Sequence, residues 1–547
     1  MLIDRRAMLR CTAALAVSGT FTGLLGKGAW ARTTVTVKVT QGRLAGVRAA
    51  RLAVFKGIPY GGNVAAGSRF LQAPPPSPWG TLRVASDYGS PSLQNNVDYP
   101  AWLDPKPGAE NCLYLNVWTP DTAGKRAVMV WIHGGGYSVG SGGLPLYDGS
   151  NLAEKGDVVV VTVNHRLNIF GYLHLAAFDR RYETSGNAGQ LDLVQALEWI
   201  AANISAFGGD PGNVTIFGES GGGAKISTLM AMPAAQGLFH KAIIESAAPL
   251  SALTPEAAER TGRAVLAHFG FATREVAKLQ SVPADKLLAA SVRLAGDGTS
   301  TQGERHEFGP VVDGVAIPRQ TWTPGTPEIS RHIPMLVGSN HDEAVTFVGK
   351  AMYDAPMDDA ALGDRIKRYS TSGTPLRDSE VNGLISRYRR TMPSASSLDL
   401  LVRIATDVGM RHRAIRLAER QLAGGAPVFM YEFDWRTPCF GGRWALHSVE
   451  IPFAFGNLDY GTAWDDHDTD AKRAAADPVG ARFRLSDQTL RAWAAFARTG
   501  NPSHSGLPQW RPYALDRRET MSLNVRSELL TDPRRADRLF VENLVRA

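Results

Sequence analysis

Val214-Thr215-Ile216-Phe217-Gly218-Glu219-Ser220-Gly221-Gly222 is the stretch on which the fold turns. Its first four residues are β-branched or aromatic, the composition of a buried strand. A Gly-x-Ser-x-Gly turn follows, and residues 224–232 then read as a helix. Strand, sharp turn and helix in that order lift a serine hydroxyl above a sheet and expose it as a nucleophile. Glycines at 218 and 222 spare the neighbouring backbone a collision, and the helix N-terminus favours developing negative charge. The same letters could compose a glycine-rich structural turn with an incidental serine, but the flanking strand and helix argue for the nucleophile.

Outward from this turn, apolar runs at 127–132 and 158–163 also read as buried parallel strands, with later candidates at 333–337 and 428–433. Between the second run and the turn, Leu193, Leu197, Ile200 and Ile204 recur at helical spacing, and Gly208-Gly209-Asp210-Pro211-Gly212 reads as a stop. Alternating strands and helices predict an α/β protein with a large, mostly parallel central sheet flanked by helices. Residues 254–305 and 354–420 lack strand signals and read as helical insertions. No repeat or low-complexity linker divides the chain, so 32–547 is expected to form one catalytic domain.

Upstream, Val130-Trp131-Ile132 leads into His133-Gly134-Gly135-Gly136-Tyr137. Three glycines let the backbone approach a reacting carbonyl. The amides of Gly135, Gly136 and Gly221 are expected to form an oxyanion hole for an acyl-transfer intermediate. A phosphate loop is the rival reading, but no Gly-Lys-Ser/Thr follows. No His-Glu-x-x-His and no zinc-type Cys/His spacing is present, so neither metal nor organic cofactor is implied.

With these features the chain resembles the type-B carboxylesterase and cholinesterase family of α/β-hydrolases, in its bacterial, para-nitrobenzyl-esterase-like branch. Further segments carry the resemblance: Phe55-Lys56-Gly57-Ile58-Pro59-Tyr60, Glu110-Asn111-Cys112-Leu113-Tyr114-Leu115-Asn116-Val117-Trp118, Phe207-Gly208-Gly209-Asp210-Pro211 and Phe496-Ala497-Arg498-Thr499-Gly500-Asn501-Pro502. The resemblance implies the α/β-hydrolase fold and hydrolysis of carboxylic esters through an acyl-enzyme on Ser220. It points to His447, in Ala445-Leu446-His447-Ser448-Val449-Glu450, as general base, with His133 part of the oxyanion loop and His165, His412 and His504 structural or on the surface. Glu343, in Gly338-Ser339-Asn340-His341-Asp342-Glu343, is implied as the orienting acid, with Asp342 the alternative. Glu219, Ser246 and Glu450 are implied as supporting residues behind the site, and Arg69 with Glu110 as a structural ion pair. Asn111 stands where the family usually has aspartate. The family's early disulfide cannot form, because no cysteine lies between Arg32 and Asn111.

The first 31 residues differ in kind. Arg5 and Arg6 precede an uncharged stretch, 11–26, and then Ala29-Trp30-Ala31. That is a basic start, an apolar middle and a small-residue cleavage site, resembling a twin-arginine export signal removed after Ala31. The apolar part is shorter than the roughly 20 residues that span a bilayer. The expected protein is therefore exported, to periplasm or medium, without a stable membrane anchor. The segment carries four basic residues and one acid, so its removal lowers the formal charge from +7 to +4. Such a scattered excess argues for a solvated surface rather than a nucleic-acid partner. Cys112 and Cys439 would remain, and two buried free thiols are expected.

The expected partner is a small-molecule ester. Amide hydrolysis on the same three residues is the chemical alternative, and a non-catalytic binding protein of the same fold is the remaining one. Trp102, Phe170, Tyr172 and Phe440 are candidates either for a pocket wall or for core, and Arg443 for an anionic substrate or the surface. The sequence leaves the ester itself and the oligomeric state open.

Overall fold

Strands form where the β-branched runs lie. The computed structural model describes residues 33–95, 106–246, 249–296, 306–348, 357–369, 376–437, 442–459, 475 and 477–546. Expectations for residues 1–31, Trp102, Cys439 and Phe440 lie outside them. Thirteen strands make one sheet among the described residues: β1 Thr34–Val39, β2 Gly42–Ala49, β3 Leu52–Pro59, β4 Arg83–Val84, β5 Tyr114–Thr119, β6 Arg126–Ile132, β7 Val159–Val163, β8 Gly209–Glu219, β9 Lys241–Glu245, β10 Met335–Asn340, β11 Val428–Phe433, β12 Glu519–Leu523 and β13 Glu528–Thr531. Their order is β1-β2-β3-β5-β7-β6-β8-β9-β10-β11-β12-β13, with β4 beside β2. The run from β7 through β12 is parallel, and antiparallel pairs close both edges. This is the α/β-hydrolase arrangement expected.

Every residue of β7 is buried, as a parallel strand covered on both faces requires. The crossover helix Ala188–Asn203 continues as a 3-10 turn, Ile204–Phe207, and Gly208 then turns the chain at φ 76°. The expected stop at 208–212 is corrected in part. Gly208 ends the helical run, but β8 already begins at Gly209, where it pairs with Arg126 before the register shifts.

The predicted insertions are helical: Pro255–His268, capped by the Thr254 hydroxyl, and Ala284–Ala295 in the first; Asp359–Tyr369, Asp378–Thr391, Ser397–Thr406 and His412–Ala423 in the second. Alternation along the central strands separates two cores. Val130, Ile132 and Ile216 pack against Leu197 and Ile200 of the crossover helix, while Trp131 and Phe217 face the opposite layer. There Trp131, Phe217 and Phe455 form an aromatic cluster with ring centroids 4.9 to 5.5 Å apart. Phe455 closes the short helix Ile451–Phe455, just after His447, so this cluster fastens the histidine loop to the strand that ends at the serine. No helix of the described residues is long and apolar enough to cross a membrane.

Candidate active site

Strand β8 ends at Glu219, and Ser220 takes φ 54°, ψ −123°. A non-glycine residue in this region costs about 1 to 3 kcal/mol and persists only where its surroundings hold it. They do so here: the Ser220 N–H donates to the Glu245 carbonyl (2.8 Å) and its carbonyl accepts from Ala224 N–H (3.0 Å). The helix starts at Gly221 and runs to Leu229, three residues earlier than the sequence pattern places it. Glycine is needed because a Cβ on residue 218 or 222 would collide with the Ile132 carbonyl oxygen.

Beyond Ile132 the chain bends through Gly135 (φ 82°) and Gly136 (φ 61°), conformations open to glycine. The loop lies directly on the serine turn, so that a Cβ on Gly221 would meet the Gly136 backbone. Among the described residues the N–H groups of Gly135, Gly136 and Gly221 have no protein acceptor. Three amide donors thus remain uncommitted beside a partly exposed Ser220.

The histidine comes from a loop some two hundred residues on. His447 Nδ1 lies 2.5 Å from Glu343 Oε2, and the other Glu343 oxygen accepts from Asn340 N–H at 2.6 Å. Asp342, the alternative acid, points elsewhere. Its Oδ1 accepts from Arg403 Nη2 (3.0 Å), its Oδ2 accepts from Ala445 N–H (3.0 Å), and its own N–H donates to the Ala445 carbonyl (2.9 Å). Asp342 clamps the loop that carries His447 without touching the imidazole. On the far side of the ring, His447 Nε2 lies 3.2 Å from Glu219 Oε1.

Behind these groups lie ionisable side chains shut off from the surface. Glu219, Glu245 and Glu450 are fully buried, and burial pushes the carboxyl of each above its usual range. Each has a donor: Ser448 Oγ to Glu219, Trp493 Nε1 to Glu245 (3.1 Å), and Ser246 Oγ (3.1 Å) with Asn340 Nδ2 (2.5 Å) to Glu450. Burial alone would lower His447, but the carboxylates of Glu219 and Glu343 outweigh it and raise the imidazole to about 9. His133 and His165 stack with ring centroids 4.8 Å apart, both buried and both pushed down by burial, so they stay neutral.

Other expectations resolve around this centre. Arg69 pairs with Glu110 and also donates to the Gln280 carbonyl (3.0 Å), tying an early loop to the first insertion. Asn111 accepts from Val64 N–H (2.9 Å), a task a neutral amide performs as well as a carboxylate. Phe170 and Tyr172 are core. Arg443 is engaged by both Asp399 oxygens (2.7 and 2.6 Å), so its charge is already matched. Cys112 is a buried free thiol.

Sequence reasoning missed Asn340, Ser448, Glu245, Lys225 and Phe347. Asn340 and Ser448 sit inside motifs already singled out, and Glu245 and Lys225 are charges at the end of an apolar strand and within a helix of small and apolar residues. Phe347 had no signal; it is exposed, with its ring 5.0 Å from that of His447.

A parallel sheet with a strained serine at the end of a central strand, and a histidine–glutamate pair on later loops, defines an α/β-hydrolase. A profile of the carboxylesterase family matches residues 33–540. The para-nitrobenzyl esterase of Bacillus subtilis (strain 168) is 38% identical over 486 residues, covering 88% of this chain and 92% of that one. The liver carboxylesterase of Sus scrofa is 33% identical, covering 84% and 83%. A solved carboxylesterase of Geobacillus stearothermophilus superposes with TM-score 0.78 at 35% identity, covering 92% of this chain and 99% of its own. The chain belongs to the carboxylesterase family, and it is a carboxylic-ester hydrolase acting on small-molecule esters.

Proposed function

We propose that Ser220 is the nucleophile, His447 its general base and then acid, and Glu343 the carboxylate that orients the imidazole. The amides of Gly135, Gly136 and Gly221 are the oxyanion hole. The carrying observation is the 2.5 Å contact between His447 Nδ1 and Glu343 Oε2, made beside the serine turn by residues 104 positions apart. In this reading His447 takes the Ser220 proton as the hydroxyl attacks the ester carbonyl. The tetrahedral oxyanion is held by the three amides, and the leaving alcohol receives the proton from His447. Water, deprotonated by the same imidazole, then releases the acid and frees Ser220. Among the described residues no hydrogen bond joins Ser220 to His447; with Glu219 beside Nε2, the imidazolium form donates to both carboxylates, and the serine bond belongs to the neutral form.

A fluorophosphonate probe tests the assignment. Wild-type protein is expected to be labelled stoichiometrically and Ser220→Ala not at all; labelling that survives the substitution would overturn it.

The same reading includes export. A chain isolated from its native host is expected to begin at Arg32, and replacing Arg5 and Arg6 by lysine is expected to retain it in the cytoplasm. A secreted protein that still carries Met1 would refute cleavage.

A further inference from the structure

Lys225 lies one turn into the helix that follows Ser220, and its side chain is fully buried (0% exposed). Lysine is almost never found so without a partner that needs it. Here Nζ donates to the carbonyls of Gly136 (2.7 Å) and His133 (3.1 Å), and sits 5.6 Å from the Tyr137 ring centroid. Those two carbonyls belong to the peptides immediately flanking the pair that carries the Gly135 and Gly136 amides. The carbonyls between them are tied as well. Gly134 O lies 3.0 Å from His133 Nδ1, and Gly135 O accepts from Ser138 N–H (3.2 Å) and Val139 N–H (3.1 Å). Every carbonyl of the arc is thus anchored away from the site, while the Gly135 and Gly136 amides stay uncommitted.

We infer that Lys225 is a positioning residue for the oxyanion hole: its Nζ, donating to the His133 and Gly136 carbonyls, pins both ends of the glycine arc and fixes the direction of the amides between them. This rests on the active-site reading above and deepens it. The loop is drawn onto the serine turn at Gly221, where even a methyl group would displace Gly136. Prealigned donors in a water-poor site stabilise charge that develops only in the tetrahedral state, so the contribution falls on kcat rather than on ground-state binding. Burial pulls the Lys225 amine down to about 7 against the support of Glu219, and Nζ keeps N–H donors for the two carbonyls in either charge state.

The test compares wild type with Lys225→Met and with Lys225→Gln, whose amide keeps N–H donors on a shorter, neutral side chain. Three readouts are taken: steady-state hydrolysis of p-nitrophenyl acetate, the inhibition constant of a trifluoromethyl ketone that forms a hemiketal oxyanion, and thermal melting. A folded Lys225→Met is expected to lose at least tenfold in kcat, with KM within threefold, and to lose trifluoromethyl ketone affinity in parallel. Lys225→Gln is expected to fall between it and wild type. A folded variant with kcat and ketone affinity within twofold of wild type would overturn the inference, as would losses confined to KM or melting temperature. Failure of both variants to fold would overturn it too, since the lysine would then be needed for the fold alone. Absent fluorophosphonate labelling of wild type would instead count against the Ser220 reading, which separates the two failures.

Discussion

The Nε2 of His447 lies 3.2 Å from Oε1 of Glu219, the residue immediately before Ser220. The imidazole is therefore held between two buried carboxylates, Glu343 on one nitrogen and Glu219 on the other.

That arrangement has a pH signature. The raised pKa means folding favours the protonated imidazole, so this stabilisation is complete below about 6.5 and is lost as pH rises through about 9. In the proposed mechanism activity runs the other way, because His447 must be neutral to act as the base. kcat/KM is expected to climb across that window. Glu219→Gln removes one of the carboxylates that hold the proton, so the rising limb is expected to move to lower pH; a limb that does not move refutes the electrostatic role.

Glu343 and Asp342 are separable by their different contacts. Glu343→Gln leaves His447 without its orienting charge, and a loss of roughly 10³ to 10⁴ in kcat is expected in a folded protein. Asp342→Asn breaks a buried pair with Arg403 and one oxygen of the Ala445 clamp. Its expected effect is destabilisation by about 3 kcal/mol, read by chemical denaturation, with the larger share of kcat retained. The reverse pattern would reassign the acid.

Gly222 has no room for a side chain. Gly222→Ala would drive a methyl group into the Ile132 carbonyl, between the serine helix and β6. The expected outcome is loss of soluble folded protein, measured by expression yield and circular dichroism; a folded, active variant would show that the turn can relax.

Burial and then the nearby Asp192 push the Cys112 thiol up to about 12, outweighing the opposing pull of Arg166 and the Ser92 hydrogen bond. Titration of the native protein with a thiol-specific disulfide reagent at pH 8 is expected to leave Cys112 unreacted until denaturant is added. Rapid modification of the native thiol would place Cys112 nearer the surface than its packing indicates.

The parallel sheet was legible because its strands are buried on both faces and so carry continuous apolar runs. The reading at 428–433 matches β11 residue for residue. At β10 the apolar run marks only half the strand. Gly338, Ser339 and Asn340 offer no strand pattern, yet they pair with Tyr431, Glu432 and Phe433, because a neighbouring strand supplies hydrogen bonds whatever the side chains. The early start of the serine helix was hidden for a related reason: glycines 221–223 are poor helix formers, and close packing against β6 and the oxyanion loop decides their conformation.

The sequence by itself determined the strand, turn and helix around Ser220, the glycine arc and, through family motifs, the segments that carry His447 and Glu343, because each is a short stretch whose local geometry is written in adjacent residues. Tertiary structure decided between Glu343, which the family motif implied, and its neighbour Asp342 at His447, and it alone set Glu219 against the imidazole and turned Lys225 inward beneath the glycine arc. Those contacts join residues 89 to 228 positions apart. They exist only once packing of the loops at the ends of the parallel strands has fixed the direction of each side chain, and no local pattern records that direction.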